Sequence, residues 1–146
     1  MNSNFNPLSP EELVSRINKI PRIPLAQLPT VLEYAPNISK ELNINLYIKR
    51  DDCTALAFGG NKTRHLEFIM AKTLSGEYDC ILTGAASQSN FCRQAVAAAN
   101  KLNLDSYLVL MHGVKGKLMQ GNFLLYNILG ANVDVVDGEN LEDIPK

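Results

Sequence analysis

The residues with the most chemical content lie in Phe58-Gly59-Gly60-Asn61-Lys62-Thr63-Arg64, where a glycine pair meets a lysine at the start of an amphipathic run. The N-terminus of a helix carries partial positive charge, so local electrostatics disfavour a cation there. A field of that sign, with some burial, favours the neutral form of an amine, the form that condenses with an aldehyde. The plain alternative is an exposed lysine after a flexible turn. A second segment, Ser87-Gln88-Ser89-Asn90, lies between an apolar run and the next amphipathic stretch. A loop at the carboxyl end of a strand and the start of a helix offers free backbone N–H groups and short polar side chains to an anion. The plain alternative here is a serine acting only as an N-cap. A nucleophilic amine and an anion cradle on one side of a sheet together suit an aldehyde cofactor and an amino acid carboxylate.

The surrounding pattern supplies elements that can hold these two loops. Ser9-Pro10-Glu11-Glu12 reads as a helix start, with a helix to about Lys19. Pro21 to Thr30 is an extended, proline-containing arm, Asn37 to Leu42 a helical turn or a loop, and Leu46–Lys49 a short strand. From Asn61 the period becomes helical: Leu66, Ile69, Met70 and Thr73 share a face, and Gly76 ends the helix. A strand over 80–83 follows, then the small-residue loop Gly84-Ala85-Ala86-Ser87. A helix with Phe91, Ala95, Ala98, Ala99 and Leu102 on one stripe comes next, its alanines allowing close approach to a sheet. A strand over 107–111, a helix over about 118–129 stopped by Gly130, and a strand over 133–136 complete the series. Ile81, Tyr107 and Val133 recur at equal spacing, the rhythm of two βαβ units in a parallel sheet. The fold class expected is α/β.

Composition bounds the rest. The 146 residues are 46% hydrophobic, enough for one domain with a real core. The net charge is -1 and the nearest thing to a basic tract is Lys115-Gly116-Lys117, which argues against a nucleic acid partner. No apolar run approaches the length of about 20 residues that a membrane span requires. Met1–Phe5 carries no signal-like pattern, and the three cysteines, Cys53, Cys80 and Cys92, lack metal-ligand spacing. They read as reduced thiols in a cytoplasmic protein. His65 and His112 fit neither a metal nor a triad pattern and read as surface or packing residues.

Three ordered motifs carry a resemblance. Lys49-Arg50-Asp51-Asp52 with Ala57 through Arg64, Gln88-Ser89-Asn90 with Cys92-Arg93-Gln94-Ala95, and Gln120-Gly121-Asn122 with Leu129-Gly130-Ala131 resemble the D-cysteine desulfhydrase and 1-aminocyclopropane-1-carboxylate deaminase family. These are pyridoxal-phosphate enzymes of fold type II, the tryptophan synthase β-like fold, and the likeness spans residues 20–136. It implies a three-layer α/β architecture. Residues 1–59 would be an N-terminal arm and part of the large domain, 60–137 the small domain, and 138–146 a connection to a C-terminal half.

The resemblance also implies roles. Lys62 would hold pyridoxal 5'-phosphate and exchange the proton at the substrate α-carbon, with Asn61 shaping its approach. Asn90 would hydrogen-bond the cofactor's phenolic oxygen. Gln88, Ser89 and Asn90 would grip the carboxylate of a small amino acid, and Ser89 could also act on the substrate. Arg50 and Asp51 would form a structural pair or turn beneath the site, Arg64 and Glu67 would serve packing and solubility, and Arg93 has no assigned part. The implied reaction is β-elimination and deamination, of D-cysteine to pyruvate, sulfide and ammonia, or ring opening of the cyclopropane acid to 2-oxobutanoate and ammonia. Relatives imply a homodimer at full length. Family members continue well beyond Lys146, with a phosphate-binding glycine loop in the later part. The chain is therefore expected to be an N-terminal portion that alone binds cofactor weakly or not at all and has no useful turnover. A non-catalytic α/β anion-binding module and a non-functional remnant stand as alternatives. Three positions depart from the family's pattern: Phe91, where a polar residue is usual; His65, read as a surface change; and Cys53, read as a packing change.

Overall fold

The computed structural model describes residues 7–112 and 118–137. The Met1–Phe5 segment, Lys115–Lys117 and the connection expected over 138–146 lie outside the described residues. In the first part of the chain, helix α1 (Pro10–Ile17) starts as its sequence dictates: the Ser9 hydroxyl accepts the Glu12 N–H at 3.1 Å and Pro10 opens the first turn. No residue of α1 is buried. Strand β1 (Leu32–Tyr34) pairs antiparallel with β2 (Tyr47–Lys49), with Tyr34 opposite Tyr47 and their rings 5.2 Å apart. Between them α2 (Pro36–Leu42) closes on Asn43, whose φ of 52° is the left-handed stop asparagine tolerates.

The second part is the βαβ series: α3 (Lys62–Ser75), β3 (Cys80–Ala86), α4 (Asn90–Lys101), β4 (Asp105–Met111), α5 (Gly121–Ile128) and β5 (Asn132–Val136). The strands are parallel in the order β3-β4-β5. Two successive crossovers of the same hand put α4 and α5 on one face of this sheet. That face holds Leu108 and Leu110, buried, with Ala85, Val133 and Val135, against Val96, Phe123 and Tyr126 of the helices. A second cluster joins Leu66 and Met70 of α3 to Ala95, Ala98 and Ala99 of α4, so the alanine stripe does bring helices and sheet close. On the other face Leu82 is 73% exposed and Tyr107 43%. Among the described residues no helix is long and apolar enough to cross a membrane.

The extended 21–30 arm packs on α3, and Glu67 of that helix fastens it. Glu67 is not a solubility residue. It is fully buried, accepts the N–H groups of Leu25 (3.0 Å) and Ala26 (2.9 Å), and receives Arg22 Nε at 2.6 Å. Burial pushes its carboxyl up, yet the two backbone donors and the Arg22 guanidinium outweigh this and hold it below the ordinary glutamate value. Leu25, 5% exposed, is thereby fixed in the core. Three other differences concern single elements, and the first follows from strand pairing. Gly84, Ala85 and Ala86, read as loop, continue β3 because they pair with Val109, Leu110 and Met111. Helix α5 begins at Gly121 rather than Leu118, and Cys53 is exposed rather than packed. Phe91 packs against both core clusters, which is the packing role open to it, and His65 is exposed.

Candidate active site

Lys62 is the first residue of α3, and the approach to it is conformationally forced. Ala55, Ala57 and Phe58 have φ of 70°, 45° and 68°, and Gly59 and Gly60 follow at 74° and 133°. Left-handed conformations at non-glycine residues cost energy and persist where the surroundings over-determine them. Here the surroundings are Thr54, fully buried, whose hydroxyl donates to the Gly60 carbonyl at 2.9 Å, and Asp51, whose carbonyl accepts the Gly60 N–H at 2.9 Å. Both glycines are required by contact as well as by φ. A Cβ on Gly59 would lie 1.8 Å from the Asp52 carbonyl oxygen, and one on Gly60 would lie 2.3 Å from Gln94 Nε2.

Asn61 precedes the helix but makes no side-chain cap. The cap comes from another helix: Gln94 Oε1, fully buried on α4, accepts the Thr63 N–H at 2.8 Å and the Thr63 hydroxyl at 2.7 Å. Its Nε2 donates to the Asn90 carbonyl at 3.3 Å. One side chain therefore joins the lysine turn to the Ser89–Asn90 loop. Lys62 is half-buried, and its amine has no hydrogen-bond or ion-pair partner among the described residues.

The second loop is built as a helix start. Ser89 is the N-cap of α4, its hydroxyl oxygen accepting the Cys92 N–H at 3.3 Å, and its O–H remains a donor beside the Cys92 thiol. Its carbonyl accepts the Tyr126 hydroxyl at 2.7 Å from the core side. Tyr126 is fully buried, and burial pushes its phenol far up. Asn90 Oδ1 accepts from Arg93 Nη1 and Asn122 Nδ2, both at 3.0 Å, while its Nδ2 donors have no acceptor among the described residues. Both ends of the Gln88 amide are committed to the third motif: Oε1 accepts the Asn122 N–H at 2.9 Å and Nε2 donates to the Gln120 carbonyl at 3.0 Å. A Cβ on Gly121 would lie 2.5 Å from Gln88 Oε1, so the third motif needs its glycine for this contact.

The structure thus gathers Lys62, Asn61, Gln88, Ser89 and Asn90 through Gln94, Arg93 and Asn122, none of which the sequence reading had given a part. Their signal was present, since each lies inside one of the three motifs. Arg50 and Asp51 do not pair with each other. Asp51 takes Arg64 at 2.7 Å, whose guanidinium holds its carboxyl below the ordinary range, and Arg50 takes Asp52 (2.7 Å) and Glu33 (2.5 Å). Arg64 is accordingly an anchor beneath the lysine loop rather than a solubility residue.

A lysine turn joined through Gln94 to a helix start, next to a parallel β-sheet, is an arrangement that fits a fold type II architecture. The comparisons agree in detail. The family model described as pyridoxal-phosphate dependent enzyme matches residues 23–144, and the chain belongs to that family. It is 40% identical over 128 residues to the D-cysteine desulfhydrase of Klebsiella pneumoniae, covering 85% of this chain and 39% of the relative. A crystal structure of an ACC deaminase homologue superposes with a TM-score of 0.82 at 40% identity, over 91% of this chain and 40% of that one. The processed threonine deaminase isoform 2 of Solanum lycopersicum, at 21% identity and a TM-score of 0.65, shares the fold. The chain spans about two-fifths of the length of the curated relatives it matches.

The donor set fits the family's cofactor. Among the described residues the Lys62 amine has no partner, which leaves it available to an aldehyde, and the Asn90 N–H donors have no acceptor, which leaves them available to an oxygen on the ring.

Proposed function

We propose that this chain supplies the lysine and carboxylate-binding side of a pyridoxal 5'-phosphate site for β-elimination and deamination of a small amino acid, D-cysteine foremost. The observation that carries this reading is the Lys62 amine: half-buried, without a partner among the described residues, and joined through Gln94 to the Ser89–Asn90 loop. When bound, the pyridinium ring acts as the electron sink for a carbanion at the substrate α-carbon. Lys62 would hold the cofactor through its aldehyde and would carry the proton at the substrate α-carbon. The Asn90 Nδ2 would donate to an oxygen on the ring. The Ser89 O–H and the free N–H groups of the first turn of α4 bind and orient the substrate carboxylate, with the helix field favouring its charge. Gln88 shapes that loop through its hold on Gln120 and Asn122, and Asn61 bounds the amine's approach.

Ring opening of 1-aminocyclopropane-1-carboxylate is the second reading, supported by the likeness to the ACC deaminase homologue at 40% identity. The test for the site is chemical. The purified chain is mixed with millimolar pyridoxal phosphate and reduced with borohydride, a procedure that registers even weak capture, and peptides are mapped by mass spectrometry. Labelling at Lys62, lost in Lys62→Ala, is the expected result. Labelling spread over surface lysines and unchanged in the variant would overturn the proposal. Protection of Lys62 from this labelling by D-cysteine, against protection by the cyclopropane acid, separates the two substrate readings.

A further inference from the structure

Arg93 touches all three motifs. Its Nη2 donates to the Gly59 carbonyl at 2.9 Å, and its Nη1 donates to Asn90 Oδ1 at 3.0 Å and Asn122 Oδ1 at 2.8 Å. All three acceptors are uncharged, and no carboxylate pairs with the guanidinium among the described residues. Its Nε is buried without a hydrogen-bond partner. Partial burial of a cation without a counter-charge is unfavourable, and burial pulls this guanidinium below its ordinary pKa. An apolar side chain of similar length would fill the same space without that cost, so the charge and its donors call for a reason.

The reason lies in the polarity of the network. A guanidinium only donates. Arg93 therefore fixes the amide oxygens of both Asn90 and Asn122 toward itself. The Gln88 carbonyl, which only accepts, receives Asn122 Nδ2 at 2.7 Å and fixes the opposite end of that amide. Asn122 Nδ2 then also reaches Asn90 Oδ1, so two donors converge on one oxygen. Turning the Asn90 amide over would set its NH2 against two donors at once. Asn90 alone, on an exposed first turn, would have no such preference.

We propose that Arg93 is a positioning residue that locks the Asn90 amide with its N–H donors outward, so that the site offers a ligand a donor at that point and not an acceptor. The proposal rests on the function proposed above in one respect, that Asn90 faces the cofactor ring oxygen. The lock itself is a property of the chain without cofactor.

The test has two arms. In the first, the 15N-labelled chain without cofactor is compared with Arg93→Gln, whose amide can present either end, and with Arg93→Lys, which restores charge and donors. Exchange of the Asn90 and Asn122 side-chain amide protons with water is measured by NMR. Asn122 exchange is expected to rise about tenfold in R93Q and to return to within about threefold in R93K, with a shifted Asn90 amide signal only in R93Q. In the second arm, pyridoxal phosphate affinity, followed by absorbance, is expected to fall about tenfold in R93Q and to recover in R93K.

Unchanged Asn90 and Asn122 signals in R93Q overturn the lock. Altered signals with unaltered cofactor affinity overturn the outward-donor assignment. Failure of the wild-type chain to trap cofactor on Lys62 overturns the proposed function instead, and the exchange data still decide the lock. Should R93Q not fold, Asn122→Ala decides: it removes one of the two donors on Asn90 Oδ1 and keeps Arg93, so pyridoxal phosphate affinity should stay within about threefold of wild type, and a tenfold fall would overturn Arg93 as the locking group.

Discussion

Replacing Glu67 should detach the N-terminal arm from the helix that carries the lysine. In Glu67→Gln the remaining oxygen can still accept the Leu25 and Ala26 N–H groups, but as a neutral acceptor. Charge-assisted hydrogen bonds are about twice as strong as neutral ones, so this change costs about 1 kcal/mol. The other end of the new amide would turn an NH2 toward Arg22, losing the bonds at 2.6 and 2.5 Å. Arg22 is 40% exposed, so water recovers part of that loss, and about 1 kcal/mol remains. The expected total is about 2 kcal/mol, a fall in Tm of about 6–8 °C for a chain of this size. Glu67→Ala additionally leaves the buried Leu25 N–H without an acceptor and opens a cavity, and should cost about 4 kcal/mol. Urea unfolding followed by circular dichroism, with tyrosine fluorescence as a second probe, measures both. A Glu67→Gln chain within about 0.5 kcal/mol of wild type would refute the argument that a buried charge fastens the arm.

Three further outcomes follow from the same geometry. Gly60→Ala sets a Cβ 2.3 Å from Gln94 Nε2 at a φ of 133°, and should lose about 2–4 kcal/mol in denaturant titration as Gln94 is driven off Thr63. Tyr126→Phe removes the donor to the Ser89 carbonyl and should cost about 1–2 kcal/mol, with faster hydrogen exchange in the Ser87–Asn90 loop. Glu67 and Asp51 are both held below their ordinary values of 4.5 and 3.8, so their stabilisation is complete above those values. It should disappear as pH falls through them toward the lower folded-state values. The urea midpoint should therefore drop on acidification, and less steeply in Glu67→Gln.

The alternation of helix and strand was legible because each element from α3 to β5 buries one stripe of a regular period. What the sequence concealed has a common physical cause, the override of local preference by distant partners. Gly84–Ala86 has poor strand propensity but is held in the sheet by β4. Strand β1 is three exposed residues whose only strand signal is its pairing with β2. Glu67 resembles a surface residue of an amphipathic helix until the arm folds back over it. At the site, Lys62, Ser89 and Asn90 could be named from motif and spacing. Gln94 and Arg93 lie inside the same motifs, but what they hold could not be read there, because the bonds that decide it run to residues 29 to 34 positions away.

Helix α3 does not finish its own beginning. Asn61 provides no cap, and the Thr63 amide is completed by a glutamine that arrives on α4. The turn bearing the amine is held by Thr54 and Asp51 on one side and by Gln94 of α4 on the other, so its finished shape depends on how α4 docks. Any lesion that loosens α4, however far from Lys62, should fray that turn and disperse the amine before it melts the rest of the sheet.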